Sequence, residues 1–361
     1  MDDRHIEKGI KKIVFITPKC GEKKYLDFRG IDVAEYDGSW VNIKGLPRLS
    51  KYIASISRKY SLDLLHCHAA IPDGVCCLAA KCMTGVPYMV TCHGSDLATD
   101  KRFGYGNRLK FTSDIATRLV LKGASGVTTL STDMARFAQE AGVTPSKLRI
   151  IPEAIDTLVP VSCTKVEETE KVIREKYRIK DENTVYLTLS GMRKIKGHES
   201  LVRAFAKALE QTPDMILAIG AHGQETVNIK TLVKDLGIEN KVRFIGFVDG
   251  SEKKAWFNIA NVYCNTAFFE PFGIVYLESI LHDTAVLGSM FGGAKDIFKH
   301  GENACIVDPA NIEEIAQHIV SLRNKDQREH MVTKAREILP RYDIRKIADE
   351  YLDMYTLCLK K

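Results

Sequence analysis

The sequence lacks the features that mark membrane-spanning, secreted and zinc-stabilised proteins. No stretch reaches the roughly 18 consecutive apolar residues that a membrane-spanning helix needs. The N-terminal stretch MDDRHIEKGIKK contains no apolar signal-peptide core, which argues against secretion. No second cysteine pair has metal-site spacing, so zinc is not expected. Five cysteines lie in apolar runs, which predicts a reduced, cytoplasmic protein: Cys67, Cys76, Cys77, Cys82 and Cys92.

A strong charge of one sign is also missing. The formal net charge is +6, and the excess comes from residues 1–160, which hold 23 Lys and Arg against 17 Asp and Glu. That excess is compatible with an anionic lipid, nucleic-acid or acidic-substrate partner, and equally with ordinary surface scatter. Nucleic-acid binding would need a stronger basic face with base-stacking aromatics, so we do not expect a nucleic-acid partner.

Short β-branched runs alternate with helical patterns along the chain, which indicates parallel sheets covered by helices. A length of 361 residues suits two such domains. The first series of predicted strands is 12–17, 31–36, 62–68, 88–93, 126–131 and 148–152. The second series is 184–191, 215–220, 242–248, 262–266, 285–289 and 304–308.

A charged segment without strand signal, Cys163–Lys180, separates the two series. The last residues, YDIRKIADEYLDMYTLCL, have apolar positions at helical spacing. We therefore expect an α/β protein with an N-terminal Rossmann-like domain over 1–158, a second over 159–340 and a C-terminal helix over 341–361.

The most informative segment is FFEPFGIVYLESI, residues 268–280. Glu270 is expected just after a strand, Phe272 and Gly273 at a helix start, and Glu278 about one turn further on. Backbone N–H groups at a helix start suit a diphosphate, and a carboxylate accepts paired hydrogen bonds from sugar hydroxyls. Two glutamates at this spacing alone would usually form a solvated helix face, so the flanking aromatic and Pro-Phe-Gly residues carry the prediction.

This segment resembles the retaining family 4 glycosyltransferases of the GT-B fold, which carry Glu-x7-Glu in this setting. The resemblance extends over nearly the whole chain, through VTCHGSDL (90–97), LSGMRKIKGHESLVRAF (189–205) and MFGGAKDI (290–297). It implies two Rossmann-like, doubly wound domains facing across a cleft, with the C-terminal helix returning toward the first domain. It also implies a nucleotide-sugar-dependent, hexosyltransferase-type enzyme in polysaccharide or glycoconjugate biosynthesis.

The resemblance implies a role for each matching position. Lys196 would neutralise the diphosphate, Glu270 would hold the donor sugar's hydroxyls, and Glu278 would hold the ribose hydroxyls. His93 would act beside the reacting carbon, which makes His93 and Glu270 the catalytic candidates. Gly94 and Asp96 are placed on the acceptor side. The remaining donor-binding candidates are Gly191, Arg193, Phe247, Val248, Pro271, Phe272, Gly273 and Ile274.

The implied chemistry needs no metal and no cofactor besides the nucleotide-sugar co-substrate, of UDP or GDP type. Fixed cations and helix N-termini stabilise the departing diphosphate. The anomeric configuration is retained, and the departing phosphate helps to deprotonate the acceptor. No Asp-x-Asp-like metal motif is present. His66 and His68 flank Cys67 on one predicted strand, where packed or hydrogen-bonded core histidines are expected.

The chain also departs from the family pattern. HIEKGIKKIVFITP is similar to the end of the family's first helix and its second strand, so the opening strand and its glycine loop are expected to be missing. We expect KIVFIT to fill the central sheet position instead, and only Gly21 follows it. Gly191 stands where the family has a phosphate-binding arginine, which Arg193 would replace. PEAID (152–156) replaces Pro-Asn-Gly-Ile-Asp, and Asp283 and Ala285 replace a glycine and a proline.

Three alternatives remain open at this point. The chain is an active transferase acting on a glycan, lipid-linked or small-molecule acceptor, a catalytically weak sugar-nucleotide binder or partner subunit, or a sugar-nucleotide 2-epimerase. Residues 101–122 hold six basic residues and one acidic residue, interleaved with Phe103, Tyr105, Leu109 and Phe111. This segment predicts either peripheral contact with an anionic membrane or a solvated basic loop leading into a buried helix.

Overall fold

The computed structural model of the protein describes residues 12–16, 32–36 and 45–360. The chain forms two compact units. The first runs up to Ala154 and takes up the chain again at Asp343, and the second is Ile155–Tyr342. The two crossings therefore lie within a few residues of the expected boundaries at 158 and 340.

The first unit contains one parallel sheet with the strand order β2-β1-β3-β4-β5-β6. Its strands are β1 (Lys12–Ile16), β2 (Asp32–Tyr36), β3 (Leu64–Cys67), β4 (Tyr88–Cys92), β5 (Gly126–Thr129) and β6 (Leu148–Ile150). Strand β1 pairs with β2 on one side and with β3 on the other. KIVFIT is therefore an interior strand, but it is second from the edge, and the predicted central position is taken by β3 and β4. Gly21 and the question of a glycine loop lie outside the described residues.

Helices of the first unit follow its strands, as expected for a doubly wound sheet. They are α1 (Leu46–Tyr60), α2 (Asp73–Thr84), α3 (Phe111–Gly123), α4 (Thr132–Glu140) and the C-terminal α13 (Ile344–Leu359). Helix α13 packs on the sheet through a buried cluster that joins Tyr351, Tyr355 and Ile347 to Leu64 and Met89. The C-terminal helix therefore returns to the first unit, as predicted. On α2 the structure corrects one expectation, because Cys82 is exposed rather than in the core.

The second unit repeats the architecture with the strand order β12-β11-β10-β7-β8-β9, again all parallel. Its strands are β7 (Thr184–Leu189), β8 (Met215–Gly220), β9 (Val242–Phe244), β10 (Val262–Cys264), β11 (Ala285–Ser289) and β12 (Cys305–Val307). Every strand of both predicted series is present, and most are one to four residues shorter than predicted. The α/β fold of two Rossmann-like units is confirmed.

The helices of the second unit alternate with its strands along the chain. They are α5 (Thr164–Tyr177), α6 (His198–Leu209), α7 (Thr226–Asp235), α8 (Gly250–Ile259), α9 (Ile274–Leu281), α10 (Ala294–Ile297), α11 (Ile312–Ser321) and α12 (Lys325–Arg336). The charged segment after Cys163 forms α5, which packs against α8 by burying Val166 and Ile173. Among the helices of the described ranges, none is both long and apolar enough to cross a membrane.

Candidate active site

Two loops that follow neighbouring strands interlock in the second unit. Gly197 ends the loop after β7 with a left-handed φ of +65°, and a Cβ there would lie 1.9 Å from the carbonyl oxygen of Thr266. The Thr266 hydroxyl donates to the Gly197 carbonyl at 2.9 Å, and the Phe268 N–H donates to the Ile195 carbonyl at 2.7 Å. Only glycine allows this approach. The contact fixes Lys196 beside the loop that follows β10.

A third loop holds Glu270 from the other side. The Gly293 N–H donates to the Glu270 carbonyl at 2.9 Å, and the Glu270 N–H donates to the Phe291 carbonyl at 3.3 Å. Gly292 has a φ of +99°, and a Cβ there would stand 1.8 Å from the Glu270 carbonyl oxygen. The Gly-Gly turn of the MFGGAKDI segment therefore fixes the backbone of the first glutamate.

The side chain of Glu270 lies in a small polar cluster at this junction. Lys196 Nζ donates to Glu270 Oε2 at 2.8 Å, and Asn265 Nδ2 donates to the same oxygen at 3.1 Å. The Lys196 and Glu270 side chains are only 12% and 13% exposed. His198, two residues after Lys196, is buried. Its burial and, as the smaller cause, the positive charge of Lys196 lower the pKa of its imidazole to about 4. Lys196 is thus the cation of this cluster.

The second glutamate, Glu278, lies on α9. Gly273 caps the start of this helix, whose first N–H groups have no acceptor within the helix. Lys253 of α8 donates to Glu278 Oε1 at 2.7 Å, and both side chains are just over a quarter exposed. Each glutamate therefore has its own lysine, so the two carboxylates form two separate ion pairs.

The remaining donor-binding candidates also lie at strand ends. Gly191 and Arg193 are exposed in the loop after β7. In the loop after β9 the Phe247 ring is 75% exposed, whereas the Val248 side chain is buried. Any role of Val248 in lining a nucleobase would therefore use its backbone. Pro271 and Phe272 are buried between Glu270 and α9.

The cluster lies where the topology of the second sheet reverses. Strand β7 lies between β8 and β10. The chain continues from β7 to β8 and β9 on one side of it, and then crosses to β10, β11 and β12 on the other side. Lys196 follows β7, and Glu270 follows β10. Doubly wound sheets bind ligands at the carboxyl ends of the strands at such a switch point.

In the first unit, His93 follows β4 in a turn that Asp96 holds. The Asp96 carboxylate is buried and accepts hydrogen bonds from the N–H groups of His93 at 3.1 Å, Gly94 at 2.9 Å and Ala70 at 3.1 Å. These bonds occupy both carboxylate oxygens. The structure therefore gives Asp96 the task of fixing the turn that carries His93.

The imidazole of His93 has two described partners. Its Nδ1 lies 3.2 Å from Glu153 Oε1, and its Nε2 lies 2.9 Å from His68 Nδ1. His66 bonds to Tyr355 at 3.0 Å and to Thr91 at 2.7 Å, which confirms it as a hydrogen-bonded core histidine. Burial lowers the pKa of His66 to about 3 and that of His68 well below its usual range. His68 is hydrogen-bonded as predicted, through its contact with His93, and the residue is half-buried at the strand end.

Known protein families match both units of this chain. Residues 6–158 match the family described as Glycosyltransferase Family 4, and residues 169–338 match the one described as Glycosyl transferases group 1. The chain belongs to the family 4 glycosyltransferases. The resemblance implied by the Glu-x7-Glu segment is thereby confirmed, and the chain is an enzyme of the transferase class with the GT-B fold.

Several relatives by sequence, and several solved structures by fold, are similar to this chain. The chain is 27% identical to N-acetyl-alpha-D-glucosaminyl L-malate synthase of Bacillus anthracis, over 85% of this chain and 78% of that one. A GDP-mannose-dependent phosphatidylinositol monomannoside mannosyltransferase of Mycobacterium tuberculosis is 28% identical, but the match covers only 52% of this chain and 49% of that one. Sucrose-phosphate synthase of Thermosynechococcus elongatus has a TM-score of 0.80 at 17% identity, covering 96% and 98% of the chains. Anabaena HepE, solved with UDP-glucose, has a TM-score of 0.78 at 19% identity, covering 95% and 98%.

One departure from the family pattern has a visible compensation. Asp283 stands where the family has a glycine, and its φ is +58°, in the left-handed region that disfavours most side chains. Its carboxylate accepts two hydrogen bonds from the Arg336 guanidinium, at 2.5 and 2.9 Å. This bidentate pair helps to hold the backbone conformation that a glycine adopts without strain.

Sequence reasoning missed three residues that complete these clusters. Asn265 directly follows β10 within the VYCNT run, at the carboxyl edge of the sheet, a position that could have marked it as a site residue. Lys253 lies on α8, 25 residues before Glu278, and nothing local points to their pairing. Glu153 was noted only as part of the PEAID departure from the family pattern, although its carboxylate lies beside His93.

Proposed function

We propose that this glycosyltransferase moves a sugar from a UDP- or GDP-sugar to a glycan, lipid-linked or small-molecule acceptor with retention of the anomeric configuration. The observation that carries the proposal is the junction of three strand-end loops, which sets Lys196 against Glu270 beside the start of α9. A cation, a sugar-binding carboxylate and free helix N–H groups are the set that a nucleotide diphosphate sugar requires. The names of the relatives, which include a GDP-mannose-dependent enzyme and a complex with UDP-glucose, support a donor of this kind.

In this proposal each group of the second unit binds one part of the donor. Lys196, assisted by Arg193 and the backbone at Gly191, binds the diphosphate. Glu270 and the backbone of Pro271, Phe272 and Gly273 bind the sugar hydroxyls. The helix start at Ile274 adds N–H donors, Glu278 binds the ribose, and Phe247 covers the base.

The chemistry follows from where charge develops. As the bond from the anomeric carbon to the diphosphate breaks, the phosphate gains negative charge and the sugar gains positive character. Lys196 and the N-terminus of α9 stabilise the phosphate charge, and Glu270 stabilises the sugar side. The departing phosphate accepts the acceptor's proton on the face that it leaves, which gives retention. His93 is the proposed catalytic group of the first unit.

The experiment that tests the proposal is a thermal-shift screen with UDP- and GDP-sugars, followed by NMR of the product's anomeric proton. A binding donor raises the apparent unfolding temperature by mass action. We expect one nucleotide series to stabilise the protein, and the product to keep the donor's anomeric configuration. Turnover unchanged by EDTA is expected, because no step uses a divalent metal.

The same assay separates the alternatives. A shift with neither transfer nor slow donor hydrolysis would favour the weak binder or partner subunit. Conversion of the donor into its 2-epimer would favour the epimerase. Absence of any shift with either nucleotide series would contradict the proposed donor class.

We further propose that helix α3 contacts an anionic membrane, in support of a lipid-linked acceptor. Phe111, Ile115 and Leu119 are four residues apart and form an exposed apolar stripe, 79%, 43% and 56% exposed. Lys110 and Lys122 at the ends of the helix are exposed too. Apolar side chains flanked by lysines suit an interfacial position.

In the structure, only part of residues 101–122 is available for the proposed membrane contact. Phe103 and Tyr105 are half-buried rather than available to lipid. Arg108 and Arg118 both pair with Asp114, at 2.6 and 2.8 Å, which reduces the effective positive charge. The apolar stripe and the terminal lysines therefore carry the proposed contact.

Co-sedimentation with vesicles containing anionic lipid tests this surface at low and high salt. We expect pelleting at low salt that falls as salt rises, because exposed charges are screened beyond about 8 Å at physiological ionic strength. Phe111→Ser with Leu119→Ser should abolish pelleting, whereas Val227→Ser, which removes an apolar side chain 73% exposed in the second unit, should not. Equal pelleting of both variants would show that this stripe is not the contact, and no pelleting by the wild type at low salt would favour a soluble acceptor.

A further inference from the structure

A carboxylate and two imidazoles form a continuous hydrogen-bonded line in the first unit. Glu153 Oε1 lies 3.2 Å from His93 Nδ1, and His93 Nε2 lies 2.9 Å from His68 Nδ1. The rings of His68 and His93 are stacked, with centroids 5.1 Å apart. Glu153 belongs to PEAID, at the position where the family pattern has asparagine. The line is therefore a feature of this chain that the family pattern does not supply.

The chemistry of the three groups fixes where the protons lie. An ionised carboxylate only accepts hydrogen bonds, so His93 Nδ1 must carry the proton that it shares with Glu153. In neutral His93 the other nitrogen, Nε2, is then an acceptor, and His68 must donate to it from Nδ1. Burial disfavours a charge on His68 and holds its pKa well below the usual range, so His68 is the neutral donor of the pair.

We propose that Glu153 is a positioning residue that locks His93 in the Nδ1–H tautomer, so that Nε2 accepts a hydrogen bond from a hydroxyl of a bound substrate. His68 donates to Nε2 in the structure and yields to that hydroxyl when the substrate binds. The inference rests on the proposed function for the identity of the hydroxyl. The tautomer itself is inferred from the contacts of His93 with Glu153 and His68.

Asp96 and Glu153 hold different parts of His93. Asp96 fixes the backbone of the turn through the N–H groups of His93 and Gly94. Glu153 fixes the ring, because a single hydrogen bond to Nδ1 sets both the tautomer and the ring orientation. A side chain at position 153 that cannot accept a hydrogen bond leaves the turn intact and frees the ring.

Nitrogen NMR of selectively labelled histidine tests the tautomer without any substrate. At pH 8.5, well above the ordinary histidine pKa of about 6.5, His93 should show a protonated Nδ1 and a bare Nε2. Glu153→Gln should keep this pattern, since the amide oxygen still accepts, and Glu153→Ala should lose it. Glu140→Gln is the matched control, because it alters an exposed glutamate of the same unit. A His93→Gln variant assigns the signals among the ten histidines.

Two NMR outcomes would overturn the inference. One is a protonated Nε2 with a bare Nδ1 in the wild type. The other is an unchanged His93 pattern in Glu153→Ala. Because neither outcome involves turnover, they are distinguishable from failure of the proposed function, which would appear as absent donor binding in the thermal-shift screen.

Kinetics separates a positioning role from a merely structural one. We expect Glu153→Ala to lower kcat by about tenfold or more while the donor KM stays unchanged, since misplacing a catalytic group affects the chemical step. Glu153→Gln should restore most of kcat. A loss of kcat in Glu153→Gln as large as that in Glu153→Ala would show that charge rather than ring position matters, and would contradict the proposal.

Discussion

The ion pair between Lys196 and Glu270 allows a quantitative prediction of how much its loss lowers the free energy of unfolding. At 2.8 Å and an effective dielectric constant near 20, the gross attraction is about 6 kcal/mol. Desolvation offsets much of it, because the two side chains are 12% and 13% exposed. Replacing Lys196 with Met leaves the Glu270 carboxylate hydrogen-bonded to Asn265, at 3.1 Å. We expect this change to lower the free energy of unfolding by about 2–4 kcal/mol.

A double-mutant cycle isolates the pair. Lys196→Met, Glu270→Gln and the double variant are unfolded in urea, with fluorescence of the buried Trp256 reporting on the second unit. The coupling free energy should be about 2 kcal/mol or more. The exposed pair of Lys334 and Glu337 is the control and should give a much smaller coupling. Equal coupling for the two pairs would refute the reasoning, since burial would then contribute nothing.

Two further predictions concern stability. The pKa of buried His66 is about 3 in the folded protein, below its ordinary 6.5, so the stability it contributes is complete above pH 6.5 and is lost as pH falls toward 3. The free energy of unfolding in urea should change between pH 7.5 and pH 4.5 by about 2–3 kcal/mol less in His66→Gln than in the wild type. A change of equal size in both proteins would exclude His66 as its origin. Gly292→Ala should cost about 3 kcal/mol in thermal unfolding, because its Cβ meets the Glu270 carbonyl oxygen. Gly301→Ala, with a similar φ and open space around it, should cost only about 1 kcal/mol, and equal losses would mean that the contact is relieved elsewhere.

The twelve strands were predictable because their signal is local. Apolar β-branched runs between turn residues mark buried parallel strands, and every such run became one. The ends were less predictable. Residues 242–248 were predicted as one strand, but β9 stops at Phe244 because Gly246 turns the chain with a φ of +77°. The run 62–68 likewise stops at Cys67, so that His68 lies beyond the strand end.

The site residues that lie within one sequence motif were predictable. The contacts that form only when distant segments pack together were not. Glu270 and Glu278 lie within one short segment, and Lys196 lies within a recognisable loop. The pairing of Lys253 with Glu278 depends on how α8 packs beside α9, which no local pattern encodes. The contact of Glu153 with His93 joins residues 60 positions apart, and it arises because β4 and the segment after β6 end at the same edge of the sheet.

The most direct test of donor binding by the second unit is calorimetry of UDP and GDP with the wild type, Glu278→Ala and the control Glu313→Ala. Glu313 is an exposed glutamate of the same unit that pairs with Lys207. Removing Glu278 should weaken binding of the preferred nucleotide by about 1–3 kcal/mol, or roughly 5- to 150-fold in Kd, because the ribose hydroxyls lose their acceptor. Glu313→Ala should bind like the wild type. Unchanged affinity in Glu278→Ala, with measurable binding by the wild type, would contradict the assignment of the donor site.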